Sequence, residues 1–314
     1  MSATFDDLKL PKHVRVVEVG PRDGFQMERQ FIDTGLKIRT IEALADAGVP
    51  EIEATSFVHP KVVPQMRDAA EVLTRIRRRE GVRYLALVPN RRGAESALAA
   101  KPDALRQVIV VTESYNQRNV GLSVAESIED FGAIVRLAEG AGCPVNAVLG
   151  AAFGCPIEGE VPIGRVVDVA RRCVDLGCRE IGLADSAGLG NPLQLRRLVD
   201  AVRRALPDVP LWLHLHDTRG MGMANAMAGL EMGIDRFDTA LGGLGGCPMV
   251  AGASGNIATE EMIYLCQEMG LTTGIDLAGV RAASRALEDF LGRQLPSRVL
   301  RAGTHDELMA LNAS

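Results

Sequence analysis

Apolar residues along this chain follow two alternating patterns. Short runs rich in Val, Ile and Leu are separated by longer stretches in which apolar residues recur every three or four positions. The short runs predict eight strands, at 14–19, 51–55, 84–88, 107–111, 145–149, 180–184, 211–215 and 236–240. A polar or Gly/Pro-rich loop follows each, and then a helical stretch. The segment 37–47 is one such stretch, with Ile38, Ile41, Leu44 and Ala45 at helical spacing. Segments 166–176 and 224–232 are two more. Gly48, Gly177 and Gly233 stand where a helix would end in a left-handed residue.

Eight β-α repeats in 314 residues predict an α/β protein with a (β/α)8 TIM barrel. An open doubly wound sheet would carry a Gly-rich phosphate turn after its first strand. Gly20-Pro21-Arg22-Asp23-Gly24 is not that turn. No linker divides the chain, so residues 1–314 read as one catalytic domain. Residues from about 258 read as a helical C-terminal extension, a cap or an oligomer contact.

Composition narrows the function classes. A net charge of −5 offers no basic surface for nucleic acid. No run of about 18 apolar residues is present to span a membrane. The six cysteines form no C-x-x-C pair, and the first 13 residues lack the pattern of a targeting leader. A reducing, cytoplasmic setting is expected.

In a barrel, chemistry collects at the C-terminal strand ends. There the chain carries Arg22, Asp23 and Gln26 after strand 1, Glu53, Thr55 and Ser56 on strand 2, and Asp185-Ser186 after strand 6. Strand 7 delivers His214 and His216. Strand 8 runs into Gly242-Gly243-Leu244-Gly245-Gly246-Cys247-Pro248 and then Gly252-Ala253-Ser254-Gly255-Asn256. An H-x-H pair alone more often means one buried and one solvated histidine. On a strand, however, alternate residues share a face, so both rings can reach one ion. With Asp23 and the Asn256 amide oxygen they make an N2O2 set suited to Mg²⁺ or Mn²⁺, with Zn²⁺ or Co²⁺ less favoured for want of a thiolate. Arg22 next to Asp23 reads as a fixed cation for charge developing on a substrate oxygen. A thiol in a glycine-rich loop reads as an acid–base group, and Cys155, in a second Gly-Cys-Pro, is as eligible as Cys247 on chemistry alone.

The segments 17–26, 52–58, 153–156, 214–218, 243–248 and 252–260 together resemble the 3-hydroxy-3-methylglutaryl-CoA lyase family of metal-dependent barrel lyases. The resemblance covers nearly the whole chain, and its Gly-Gly-Cys-Pro loop is its most specific part. It implies a retro-Claisen cleavage of 3-hydroxy-3-methylglutaryl-CoA to acetyl-CoA and acetoacetate, a reaction of leucine catabolism. It implies Arg22, Asp23, Glu53, His214 and Cys247 as catalytic, with Cys247 and not Cys155 as the acid. Metal ligands would be Asp23, His214, His216 and Asn256. Substrate contacts would come from Arg22, Gln26, Ser56, Asp185 and Ser186, and loop support from Gly245, Gly246 and Glu260. The partner is an acyl-CoA thioester, and a homodimer or homotetramer is expected.

The chain departs from the family pattern at Phe25, Met27, Ile157, Ser186, Arg219, Met221 and Met249. These departures cluster near the expected pocket, and Arg219 would present a charge to a larger or more acidic acyl group. They keep open a lyase for another branched 3-hydroxyacyl-CoA. A Claisen-condensing acyltransferase of the isopropylmalate or homocitrate synthase type is the third reading. It is disfavoured by the Cys loop and by the roughly fifty residues that follow, too few for the regulatory domain such enzymes carry.

Overall fold

The computed structural model describes residues 9–246 and 254–313. Its strands are β1 (Arg15–Glu18), β2 (Glu51–Ser56), β3 (Arg83–Leu87), β4 (Ala104–Val110), β5 (Val145–Gly150), β6 (Ile181–Asp185), β7 (Leu211–Leu215) and β8 (Arg236–Thr239). Among the described residues the helices are α1 (Thr34–Asp46), α2 (Ala69–Arg75), α3 (Arg91–Ala99), α4 (Glu113–Val120), α5 (Val124–Glu139), α6 (Ile163–Asp175), α7 (Pro192–Ala205), α8 (Gly222–Glu231), α9 (Thr259–Glu268), α10 (Leu277–Leu291), α11 (Arg298–Ala302) and α12 (His305–Ala313). All neighbouring strands pair in parallel, and β8 closes on β1 through Arg15↔Arg236 and Val17↔Asp238. The result is the closed (β/α)8 barrel that the alternating pattern predicts. α9 packs on β1, and α10 packs on α1. Gly48, Gly177 and Gly233 all have positive φ at the helix ends, as their positions require. No helix among the described residues is long and apolar enough to cross a membrane.

The core between barrel and helices is aliphatic, but the barrel interior is not. TIM-barrel interiors are usually layers of branched aliphatic side chains. Here fully buried Arg106 and Trp212 occupy the centre, with the Arg106 guanidinium 4.8 Å from the Trp212 ring. Arg236 covers that ring at 5.1 Å and pairs with Glu51 and Glu180 at the N-terminal end. Gly182 on β6 makes room for the indole: a Cβ there would stand 2.5 Å from Trp212 Cε2. Gly182→Ala therefore overpacks a rigid site and is expected to cost about 1–3 kcal/mol, read as a lower denaturant midpoint at unchanged slope. An unchanged midpoint would show that the ring can move aside.

Two buried carboxylic acids tie the β8 loop to the barrel. Glu18 accepts the N–H of Gly20 (2.7 Å) and of Leu241 (3.0 Å) and the Thr259 hydroxyl (2.7 Å). Glu260 accepts the Gly242 N–H at 3.0 Å and bonds Ser284. Burial pushes Glu18 up to about 8 and Glu260 up to about 7, against the hydrogen bonds that favour their ionised forms. An unfolded chain releases these protons near the ordinary value of 4.5. Their contribution to stability is thus complete below that pH and is lost as pH rises through 7 and then 8. The melting temperature is expected to fall between pH 5 and pH 8, and Glu18→Gln to flatten that fall. A melting temperature rising over this interval would contradict the assignment.

Candidate active site and metal centre

β1 passes directly into one π-helical turn, Gly20–Gly24. Gly20 lets that turn lie against the β8 loop, since a Cβ would come within 2.2 Å of Leu241. The turn sets Arg22 and Asp23 over the C-terminal mouth, both less than a tenth exposed. Arg22 Nε donates to Glu53 Oε1, and its Nη1 donates to Asp23 Oδ1 at 2.7 Å. Gln26 Nε2 donates to the same oxygen at 2.9 Å. A register shift in β2 between Glu53 and Thr55 lies beside this contact, a common way of re-aiming a side chain at a site.

β7 supplies His214, and His216 follows just past its end. Their Nε2 atoms lie 3.1 Å apart. Ligand atoms of Asp23, His214 and His216 all fall within 4.8 Å of one another. Asn256 joins them because the chain after the β8 loop runs antiparallel to the end of β7. The Asp217 N–H reaches Gly255 O (3.1 Å), and the Ile257 N–H reaches Leu215 O (3.0 Å). Asn256 Nδ2 donates to Asp23 Oδ2 (2.7 Å) and to Leu244 O (3.0 Å), while its Oδ1 is buried without a partner. Burial opposes ionisation of Asp23, but Arg22, then His216 and His214, outweigh it and hold the carboxyl well below the usual range. A permanently ionised carboxylate, two converging imidazole nitrogens and an orphaned amide oxygen fit a divalent cation.

Arg22, Asp23, His214 and His216 line a cavity of about 570 Å³. Its polar side holds Arg22, Asp23, Gln26, His214 and His216. Val108, Val110, Val148 and Ala184 form an aliphatic wall, and Met27 and Ser186 also line it. Gly245 and Gly246 enter with positive φ. A Cβ on Gly245 would stand 2.5 Å from Asn256 Nδ2, so this glycine is what allows Asn256 its place.

Several expected contacts lie elsewhere. Arg219 does not face this cavity: its Nη1 donates to Ala187 O (2.9 Å) and Gly188 O (3.2 Å), beside a separate cavity that contains Cys155 and Leu189. Asp185 accepts the N–H groups of Leu189 (2.8 Å) and Gly190 (2.9 Å), one on each carboxylate oxygen, and so shapes the β6 loop. Ser56 is buried and its hydroxyl has no partner, but it does not line the cavity. Glu53 sits beneath Arg22 and is fully buried. Glu260 supports the loop at Gly242, away from Asn256. Phe25 is core, and Met221 is half-exposed outside the cavity. Cys247 and Met249 lie outside the described residues. Cys155 Sγ accepts from Thr112 Oγ1 (3.2 Å) and from the N–H groups of Ile157 (3.4 Å) and Glu158 (3.3 Å), next to the Arg219 cavity.

Two residues that motif reading passed over complete the site. Asp238 on β8 faces His214 Nδ1 at 3.2 Å. Burial opposes its ionisation, but Arg106 and His214 bring its carboxyl down to about 2. Arg106 on β4 bonds both Asp238 and Glu53. The available signal was a charge inside, or at the edge of, a predicted strand.

A parallel barrel with a buried carboxylate–imidazole–amide set and a fixed guanidinium at its C-terminal mouth is the architecture of a divalent-metal-dependent barrel enzyme. The chain belongs to the HMGL-like family, whose model matches residues 13–287. It is 41% identical over 293 residues to the mitochondrial hydroxymethylglutaryl-CoA lyase of Mus musculus, covering 93% of this chain and 90% of that protein. The Bacillus subtilis HMG-CoA lyase superposes with a TM-score of 0.91 at 40% identity, covering 93% of this chain and 98% of that one. An Acinetobacter baumannii HMG-CoA lyase solved with coenzyme A and 3-methylmalate gives 0.90 at 39% identity, covering 96% and 97%.

Proposed function

We propose that this protein is a divalent-metal-dependent lyase that cleaves 3-hydroxy-3-methylglutaryl-CoA to acetyl-CoA and acetoacetate. The observation that carries the reading is the convergence of Asp23, His214 and His216, with Asn256 bonded to Asp23 and Arg22 beside it, in a chain about 40% identical to enzymes of that name. When bound, the ion supplies Lewis acidity toward substrate oxygens. It is proposed to be Mg²⁺ or Mn²⁺, since the Asp23 and Asn256 oxygens suit them and no thiolate is present in the proposed set to select Zn²⁺. Asp23 is proposed as a ligand, its carboxylate held ionised beside Arg22 with Oδ2 toward His216 and Asn256.

The proton of the 3-hydroxyl would leave toward His214 Nε2, the ring being anchored through Nδ1 on Asp238; in that step Asp23, His216 and Asn256 would hold the ion. The C2–C3 bond breaks, its electron pair moves onto the thioester, and acetoacetate departs. Arg22 stabilises the enolate oxygen: Nε and Nη1 are engaged, and Nη2 has no hydrogen bond among the described residues. The resemblance assigns to Cys247 the proton delivered to C2, and its chain neighbour Gly246 lines the cavity. The CoA thioester is the partner this reading requires. A reducing, cytoplasmic setting fits the five free, buried cysteines among the described residues. Assembly as a homodimer or homotetramer belongs to the same reading, and exposed Leu308 and Met309 on α12 support it.

The test is a panel of thioesters with Mg²⁺ or Mn²⁺ and a reductant, assayed for acetyl-CoA. The 3-methyl substrate is expected to be turned over ahead of its 3-ethyl and 3-unsubstituted analogues. A longer 3-alkyl preference would move the assignment to another branched 3-hydroxyacyl-CoA. Condensation of acetyl-CoA with a 2-oxo acid, without cleavage of any thioester, would replace the lyase by a synthase.

A further inference from the structure

Arg106 plays no part in the chemistry above, yet it joins the two halves of the site. It is fully buried on β4, below the cavity floor. Its Nη1 lies 2.9 Å from Glu53 Oε2 and 2.9 Å from Asp238 Oδ2, and its Nη2 lies 3.1 Å from Asp238 Oδ1. The opposite oxygen of Glu53 holds Arg22 Nε, and Asp238 Oδ2 also meets His214 Nδ1 at 3.2 Å. Trp212 backs the arrangement, with its ring under the Arg106 guanidinium and its Nε1 3.2 Å from Asp238 Oδ2. A continuous relay, Arg22–Glu53–Arg106–Asp238–His214, thus runs across the π-turn, β2, β4, β8 and β7.

From this relay we infer that Arg106 is a positioning residue: through Glu53 and Asp238 it sets where Arg22 stands relative to His214, and so aligns the substrate's cation with the metal's imidazole. A purely structural filler would need only volume. The relay needs a planar fork that serves two carboxylates at once, which guanidinium provides and an ammonium does not. The flat rings of Trp212 and His214 and the two carboxylates leave no other cation within bonding reach of Asp238 among the described residues. Without Arg106, Glu53 keeps only Arg22 and is free to rotate with it. Asp238 loses both of its guanidinium bonds, and the His214 ring loses its fixed anchor. Outer partners of metal-binding histidines act in this way, and their loss typically weakens metal binding by about 10–100-fold.

The inference rests on the proposed roles of Arg22 and His214, and its test separates the two. Arg106→Lys, Arg106→Met and Asp238→Asn are purified and checked for fold by circular dichroism and melting. Mn²⁺ affinity is measured without any thioester, by the electron paramagnetic resonance signal of the free ion. Steady-state cleavage is then measured at saturating metal. Arg106→Lys is expected to weaken Mn²⁺ binding about 10-fold or more and to lower kcat about 10-fold or more, with KM for the thioester nearly unchanged. Arg106→Met should be worse on both counts. The double variant Arg106→Lys/Asp238→Asn should bind Mn²⁺ no more weakly than the worse single variant, because both break one relay. Wild-type Mn²⁺ affinity and kcat in a folded Arg106→Lys, or full additivity in the double variant, would overturn the inference. If Arg106→Met fails to fold, Arg106→Lys and Asp238→Asn still decide it. A wild-type protein that cleaves no thioester would refute the proposed function, while the Mn²⁺ shifts would still judge the relay.

Discussion

His216→Ala is expected to bind divalent metal too weakly for occupancy at millimolar concentrations and to lose on the order of 10³ in kcat, the rate equivalent of several kcal/mol of Lewis-acid stabilisation. The geometry makes this a local change. Among the described residues the polar contacts of the His216 ring are with His214 Nε2 (3.1 Å) and Asp23 Oδ2 (3.8 Å), and its Nδ1 has no hydrogen bond. Deleting it removes a ligand, and the contact it ends, at His214 Nε2, is on a ring that lines the cavity, where water can take its place. The melting temperature without added metal should stay close to wild type. Metal titration followed by calorimetry checks the first part, and cleavage at saturating metal the second. Wild-type affinity in this variant would exclude His216 from the centre.

Arg22→Met is the second large effect. Burial disfavours the charge on Arg22, but Glu53 and Asp23 more than compensate, so the guanidinium stays charged at any accessible pH. Removing it deletes the guanidinium hydrogen-bonded to Asp23, the cation placed to meet an enolate oxygen. Loss of a preorganised donor of this kind typically costs about 10²–10³ in kcat. KM should change far less, because the charge Arg22 meets develops during cleavage and not in the bound ester. Arg22→Lys should recover little, since one ammonium cannot hold Glu53, Asp23 and the substrate together. A drop in affinity with kcat intact would recast Arg22 as a ground-state anchor.

The barrel was legible because strand and helix periods alternate eight times, and strand 7 was read to the residue. The metal residues were legible because H-x-H on a strand and Arg-Asp after a strand have strong geometric consequences. The floor of the site was not. The fourth strand was expected to begin at Gln107; β4 instead starts at Ala104 and carries Arg106 to the centre, where two carboxylates make its burial tolerable. Asp238 lay within the eighth predicted strand, but one strand cannot show which histidine it will meet. The contacts of Arg219 and Asp185 were not legible for a related reason. Their partners are backbone groups of loops whose conformations no side-chain pattern encodes. Alternation along strands is a one-dimensional signal, whereas the pairing of buried charges across a barrel is set by three-dimensional register.

The central claim is that this site breaks a carbon–carbon bond by way of a thioester enolate. Its most direct test is cleavage of 3-hydroxy-3-methylglutaryl-CoA in D2O with Mg²⁺, with the products analysed by mass spectrometry. The site described here predicts acetoacetate together with acetyl-CoA carrying one deuterium in its methyl group, and neither product when metal is withheld. Metal-independent cleavage, or intact substrate in the presence of metal, would contradict it.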